Sequence, residues 1–259
     1  MKFNNRNVNI SKKAAIGTNV RIGDDTIIYD NVVVEDGSVI CNNCIIGEPE
    51  NAYYSETSYE NAFTRIKKNA LIRSHTIIYS GCTLGENFST GHRVTIREQT
   101  YFGDNCRVGT LSDIQGFAEF GNYCWIHSNA FIAQYTSVKD FVFIYPQVCF
   151  ANDPHPPSSI NRGPSIDNFA QIGAKSIILA GVKIGTHALV GAGSVVVDNV
   201  GAHQLVLGNP AKYIKDVREI KSREFDGMQY PWPYHFDRSM PWKEIGFEKW
   251  LGQNPQYSK

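Results

Sequence analysis

An aliphatic residue returns every sixth position over most of this chain, and that beat limits what it can fold into. Ile10, Ile16, Ile22, Ile28, Val34, Ile40 and Ile46 stand six apart. Four residues beyond each of the first six comes a small or β-branched side chain: Ala14, Val20, Thr26, Val32, Ser38 and Cys44. The beat resumes at Ile66 and runs through Ile72, Ile78, Leu84, Thr90, Ile96, Phe102, Val108, Ile114, Phe120, Ile126, Ile132, Val138 and Ile144 to Phe150. It returns at Ile166, Ile172, Ile178, Ile184, Val190 and Val196. Helical periodicity cannot yield a strict six, and plain strand alternation would not keep polar pairs such as Asp24-Asp25 at one fixed phase. Those pairs read as turns.

A parallel β-helix satisfies all of this. Each unit supplies one short strand and one corner, and three units close a triangular coil. The lead aliphatic and the small fifth residue point inward, where copies in successive coils bury one another. The 28 lead positions make roughly nine coils, stacked about 4.8 Å apart. Cys44, Cys82, Cys106 and Cys124 fall at the small buried place, so they read as core side chains. Neither a disulfide framework nor a metal site is expected. Cys41 and Cys149 receive no role.

Composition excludes some partners. Basic and acidic residues balance at 25 each, so no net field favours nucleic acid or an anionic membrane. No apolar run approaches a membrane span, and the expectation is a cytoplasmic protein.

Units such as "IGAKSI" and "VGAGSVV", with the closing "GNPAKYI", resemble the hexapeptide-repeat acyltransferases over about residues 10–215. The resemblance implies a left-handed β-helix, a homotrimer, and acetyl-CoA or another acyl-CoA in the groove between subunits. "IGEPENAYY", "IRSHTIIYSG", "STGHRVTIRE" and "FANDPHPPS" are similar to a branch that N-acetylates dTDP- or UDP-linked amino sugars for surface polysaccharides. The expected fold is therefore all-β: a left-handed β-helix over residues 1–201, with insertions at 47–65 and 151–165. A C-terminal helix within "AKYIKDVREIKSREF" and an aromatic-rich tail would complete residues 202–259.

The break between Phe150 and Ile166 is the candidate workplace. If it replaces one corner with phase kept, the corners Glu98-Gln99, Gly116-Phe117, Gln134-Tyr135 and Asn152-Asp153 form one column. A long insertion at one corner of a regular solenoid is where function is usually grafted. The family places a His or an acid where this chain has Gln134, which cannot take a proton at neutral pH. The family's loop asparagine corresponds to Asn152, able to orient an amine but not to act as base. His155 replaces an aromatic and is either a substitute base or a stacking group. Glu98, Asp153, His92 and His127 are candidate substrate contacts.

Ala174 and Ala192 match the small corner residues that line the acyl-CoA groove, and Lys212 (with Lys215 or Arg218 as alternatives) is placed for its phosphates. His75 and His187 read as solvent-facing corners. A sugar O-acetyltransferase with a histidine base remains an alternative. A trimeric zinc β-helix enzyme would need histidines on adjoining positions, and no two here lie within ten residues. A non-catalytic rod would show one repeated exposed ladder, which these mixed corners lack.

Overall fold

The computed structural model describes residues 4–224 and 226–258. All 28 lead positions lie on short strands, from Asn9–Ile10 to Val195–Val196. Successive strands pass to three different sheets of ten, nine and eleven strands, termed here the first, second and third faces. Pairing among the 28 rungs is parallel and in register, as in Thr95↔Asp113 and Ile96↔Ile114. The coil is a left-handed parallel β-helix. Lead and fifth-place residues fill its axis: from Ile28 to Val196 every lead is at most 3 % exposed.

The corners explain the fixed polar pairs. Their second residue adopts the left-handed conformation, with φ near +57° at Asn19, Asn43 and Asn87. Asparagine tolerates that region better than other L-residues with side chains, because its short amide bonds locally. Three edges of stacked corners result. The first edge joins the first face to the second, the second joins the second to the third, and the third returns to the first.

Both insertions replace a corner and keep the phase. Val34 pairs with Ile66 and Val138 with Ile166, separations of 32 and 28 residues, where rungs uninterrupted by an insertion, such as Ile96↔Ile114, are 18 apart. The chain leaves after Glu48 and rejoins at Thr64, then leaves after Phe150 and rejoins at Ser165. Each excursion departs from the first face and returns to the second, so both hang from the first edge.

The cysteine reading holds at the four fifth-place positions, all 0 % exposed. Burial pushes the Cys44 and Cys82 thiols up to about 12, so they stay protonated and inert. Cys41 and Cys44 form a Cys-x-x-Cys pair in sequence, yet all six cysteines are free thiols.

Two expectations are corrected. The segment after Gly208 is not a helix: Ala211–Asp216 is a strand that returns antiparallel to Gln204–Gly208, followed by a single 3-10 turn at Val217–Glu219. That hairpin extends the third face, and its backbone groups are satisfied by an existing sheet edge rather than by a new helix. Phe225, the last residue of the expected helix, lies outside the described residues. The α-helix is Phe247–Gln253, inside the aromatic tail.

His187 is the second correction. It stacks on Phe169 at 4.6 Å and on His203 at 5.1 Å, continuing a ladder of corner rings from Tyr123 through Phe141. The tail docks on this second edge: Trp232 donates its indole N–H to Phe169 O at 2.9 Å, and Tyr257 donates to Asp140 at 2.6 Å. Trp242, Phe247 and Trp250 pack among the same rings, as expected of a tail too apolar to leave in water.

Burial, with His203 and Arg218 nearby, lowers the His187 pKa to about 4. The folded value lies below the unfolded one, near 6.5. Its contribution is therefore present above about pH 6.5 and lost as pH falls towards 4, by at most about 3 kcal/mol. His187→Phe keeps the stack and removes the titration. The variant is expected to flatten the fall in unfolding midpoint between pH 7 and 4.5, and parallel curves for both proteins would contradict this.

Candidate functional site on the first edge

Between the two insertions the first edge presents four corners: Ser80-Gly81, Glu98-Gln99, Gly116-Phe117 and Gln134-Tyr135. The stacking is direct, since Gln99 N donates to Ser80 O at 3.4 Å and Phe117 N to Glu98 O at 2.9 Å. From Ser80 to Asn152 is four coils, about 19 Å at the strand spacing. The first insertion closes one end, with the Tyr59 hydroxyl 3.4 Å from Ser80 Oγ. It is braced by Asn61, whose Nδ2 donates to Gly47 O at 2.7 Å.

The second insertion closes the other end. Its base is pinched: Arg162 N donates to Asn152 O at 2.7 Å, and Asn152 Nδ2 to Asn161 Oδ1 at 3.2 Å. Inside the loop, Asp153 accepts from the backbone N–H groups of His155 and Ser158, at 2.9 and 2.7 Å, and from the Ser158 hydroxyl at 2.6 Å. The Ser158 hydrogen bonds, with those from His155, hold its carboxyl below the usual range. Asp153 thus shapes the loop. His155 is exposed at the loop's outer part.

Gly163 lies against the Tyr135 backbone, where an added Cβ would come within 2.3 Å of the Tyr135 carbonyl carbon. Backbone cannot yield as a flexible side chain can. Gly163→Ala is expected to displace the loop and lower turnover about a hundredfold, with the unfolding midpoint nearly unchanged. Full activity in that variant would detach the loop from catalysis.

Charges beside the edge are arranged in a way the repeat does not reveal. Glu98 is 6 % exposed and holds Arg97 in a two-pronged pair, at 2.6 and 3.0 Å. Arg97 also lies 4.8 Å over the Tyr79 ring. Glu98 is thereby neutralised, and Arg97 is the more accessible group. Asp113, on the neighbouring first-face strand, has a buried Oδ1 without a hydrogen-bond partner. Burial pushes its carboxyl up, against weaker opposing pulls from Gln115 and Arg97. The sequence reading missed Asp113. Its only signal was an acid at an outward strand position otherwise held by Thr95, Phe131 and Cys149.

The remaining candidates divide between this edge and other parts of the chain. Gln134 is half-buried at its corner and Phe117 stacks on Tyr135 at 5.4 Å, so the edge between loop and Glu98 is partly aromatic. His92, Ala174 and Ala192 occupy the third edge, across the first face from Asn152. His127 sits just past a third-face strand and stacks on Tyr145 at 5.1 Å. Lys212 is exposed on the C-terminal hairpin, and Arg218 is committed to Asp216 at 2.6 Å. One chain therefore gathers Glu98, Gln134, Asn152, Asp153 and His155, and leaves the other five apart. Among the described residues no group of three or more His, Cys, Asp or Glu side chains is placed to hold a metal ion, and no helix is long and apolar enough to cross a membrane.

This geometry defines a left-handed hexapeptide-repeat solenoid with both insertions on one edge. The chain is a β-solenoid like those of the hexapeptide-repeat acyltransferases. It is similar to the bifunctional protein GlmU of Heliobacterium modesticaldum, 25 % identical over 203 residues covering 65 % of this chain and 42 % of that protein. Over 54 residues it is 54 % identical to the 2,3,4,5-tetrahydropyridine-2,6-dicarboxylate N-acetyltransferase of Clostridium perfringens, 21 % of this chain and 23 % of the relative. The chain thus spans less than half the length of these curated relatives. In three dimensions it matches Arabidopsis UDP-N-acetylglucosamine acyltransferase with a TM-score of 0.60 at 15 % identity, over 96 % of this chain and 88 % of that one, which speaks to fold. No protein-family model matches the chain.

Proposed function

We propose that the chain transfers an acetyl group from acetyl-CoA to the amine of a dTDP- or UDP-linked amino sugar. The observation that carries this reading is the column of stacked first-edge corners, flanked at both ends by insertions and lacking a histidine at the corner beneath the loop. About 19 Å between Ser80 and Asn152 accommodates a sugar with its diphosphate. Gln134 stands at the corner where an imidazole or carboxylate would serve as base, and an amide cannot take the proton.

An uncharged amine attacks a thioester carbonyl without a strong base once it is held in line. Nitrogen–carbon bond formation then expels the thiolate, which collects the proton released by the amine. Asn152 orients the amine or hydrogen-bonds the developing oxyanion. Assembly as a homotrimer would place the third edge of one subunit opposite the first edge of the next. Ala174 and Ala192 would then form a flat wall for the pantetheine arm, Lys212 would meet phosphates, and His92 would face the sugar. Residues 1–201 form the catalytic unit in this reading, and residues 202–259 brace it.

Thiol release from acetyl-CoA, followed over a panel of nucleotide-linked amino sugars and their hydroxyl counterparts, tests the assignment. Release is expected with an amine. Release only with a hydroxyl acceptor would replace N-acetylation by O-acetylation, with His155 as the leading base.

A further inference from the structure

A pocket separate from the first-edge corners opens on the third face. It encloses ≈ 260 Å³ and is lined by Ser89, Arg107, Trp125, His127, Ser128 and Arg238, among others. Arg107 extends from its strand with its guanidinium carbon 4.2 Å from the centre of the Trp125 ring. Arg238 arrives from the tail, 131 residues further on, and lies 5.5 Å from the same ring. Ser239 ties the two segments together by accepting from Arg107 Nη2 at 2.9 Å.

No carboxylate lines this pocket. Among the described residues neither guanidinium has an ion-pair partner, although Arg6, Arg65, Arg97 and Arg218 each do. Burial and the nearby Arg238 both work against the charge on Arg107, and the same two influences lower the His127 pKa. The positive potential is thus concentrated and uncompensated. Trp125 is 5 % exposed, and its indole N–H has no acceptor. The pocket therefore gathers cations, serine hydroxyls and an unused donor, with nothing to balance them.

From this arrangement we infer that the third-face pocket is a binding site for the phosphate or diphosphate group of a small molecule, completed by the docked tail through Arg238. Two guanidinium forks match phosphate oxygens in a way that single lysines do not. The inference concerns a site distinct from the first-edge corners and stands whether or not the acceptor there is an amino sugar.

Isothermal titration calorimetry of the full chain tests it, with inorganic pyrophosphate and with UDP as probes. Saturable pyrophosphate binding is expected, weakened about tenfold by Arg107→Gln or by Arg238→Gln and lost in the double variant, and UDP is expected to lose the part of its binding that needs these two arginines. Arg73→Gln, an exposed arginine on the same face outside the pocket, is expected to leave binding unchanged, and unfolding midpoints check that every variant is folded. If both probes bind alike and share the arginine dependence, the site takes a free phosphate group. A much tighter fit for UDP with the same dependence assigns it to a nucleotide. The inference is overturned if neither probe binds the wild-type chain, if pyrophosphate binding survives in the double variant, or if Arg73→Gln weakens it as much as the pocket variants do.

Discussion

Replacing Phe102 by alanine is expected to destabilise the chain by about 3–5 kcal/mol. Phe102 is a lead residue, fully buried, with its ring 4.2 Å from Phe120 in the next coil and nearly parallel to it at 6°. Phe88 fills a fifth place that is elsewhere small, and its ring meets Phe102 at 5.0 Å. Removing the middle ring of the three leaves a cavity that cannot close. The coils on either side are pinned by in-register pairing at Thr83↔Tyr101 and Tyr101↔Glu119. Chemical denaturation measures the loss, and Phe117→Ala is the internal comparison. Phe117 is also an aromatic rung, but at 40 % exposure it points outward and its removal should cost under about 1 kcal/mol. Equal effects at the two positions would mean that the repeat phase does not decide which rings form the core.

The second large effect is on chemistry. Asn152→Ala is expected to lower kcat for acetyl transfer about a hundredfold to a thousandfold, as when a single donor to a developing oxyanion is removed. Its KM for acetyl-CoA should barely change, because the thioester wall is assigned to the third edge. The loop should also survive, since the Arg162 N–H to Asn152 O bond uses only backbone atoms. Gln134→Ala is expected to be milder, and neither variant should move the lower limb of the pH–rate profile. Loss of turnover in His155→Ala alone, with Asn152→Ala active, would transfer the chemistry to an imidazole base.

These expectations differ in how far the sequence foresaw them. The inward ladder was open to reading because stacked coils demand the same residue class at the same phase. Thr90 shows how firm that demand is. It is the one polar lead, and it remains 3 % exposed with its hydroxyl oxygen accepting from Arg73 N at 2.9 Å. The shared edge of the two insertions was also within reach of counting. Stepping down from Asn152 by coils leads past Glu98 to Ser80, one coil from the first break. The C-terminal hairpin was not legible. "AKYIKDV" has no six-residue beat, and its partner strand already belonged to a face. His187 looked like any other exposed corner until the tail covered its edge.

By itself, the sequence determined the triangular coil, its 28 rungs, the burial of four cysteines and the corner from which the Asn152 loop departs. A periodic chain with one recurrent inward pair has a single compact way to stack, so those features follow from local pattern. Tertiary structure alone decided that Glu98 is spent on Arg97, that Asp113 Oδ1 is buried without a hydrogen-bond partner, and that Arg107 and Arg238 meet over one tryptophan. Such pairings depend on where side chains from different coils and a distant tail converge, and no periodicity encodes that.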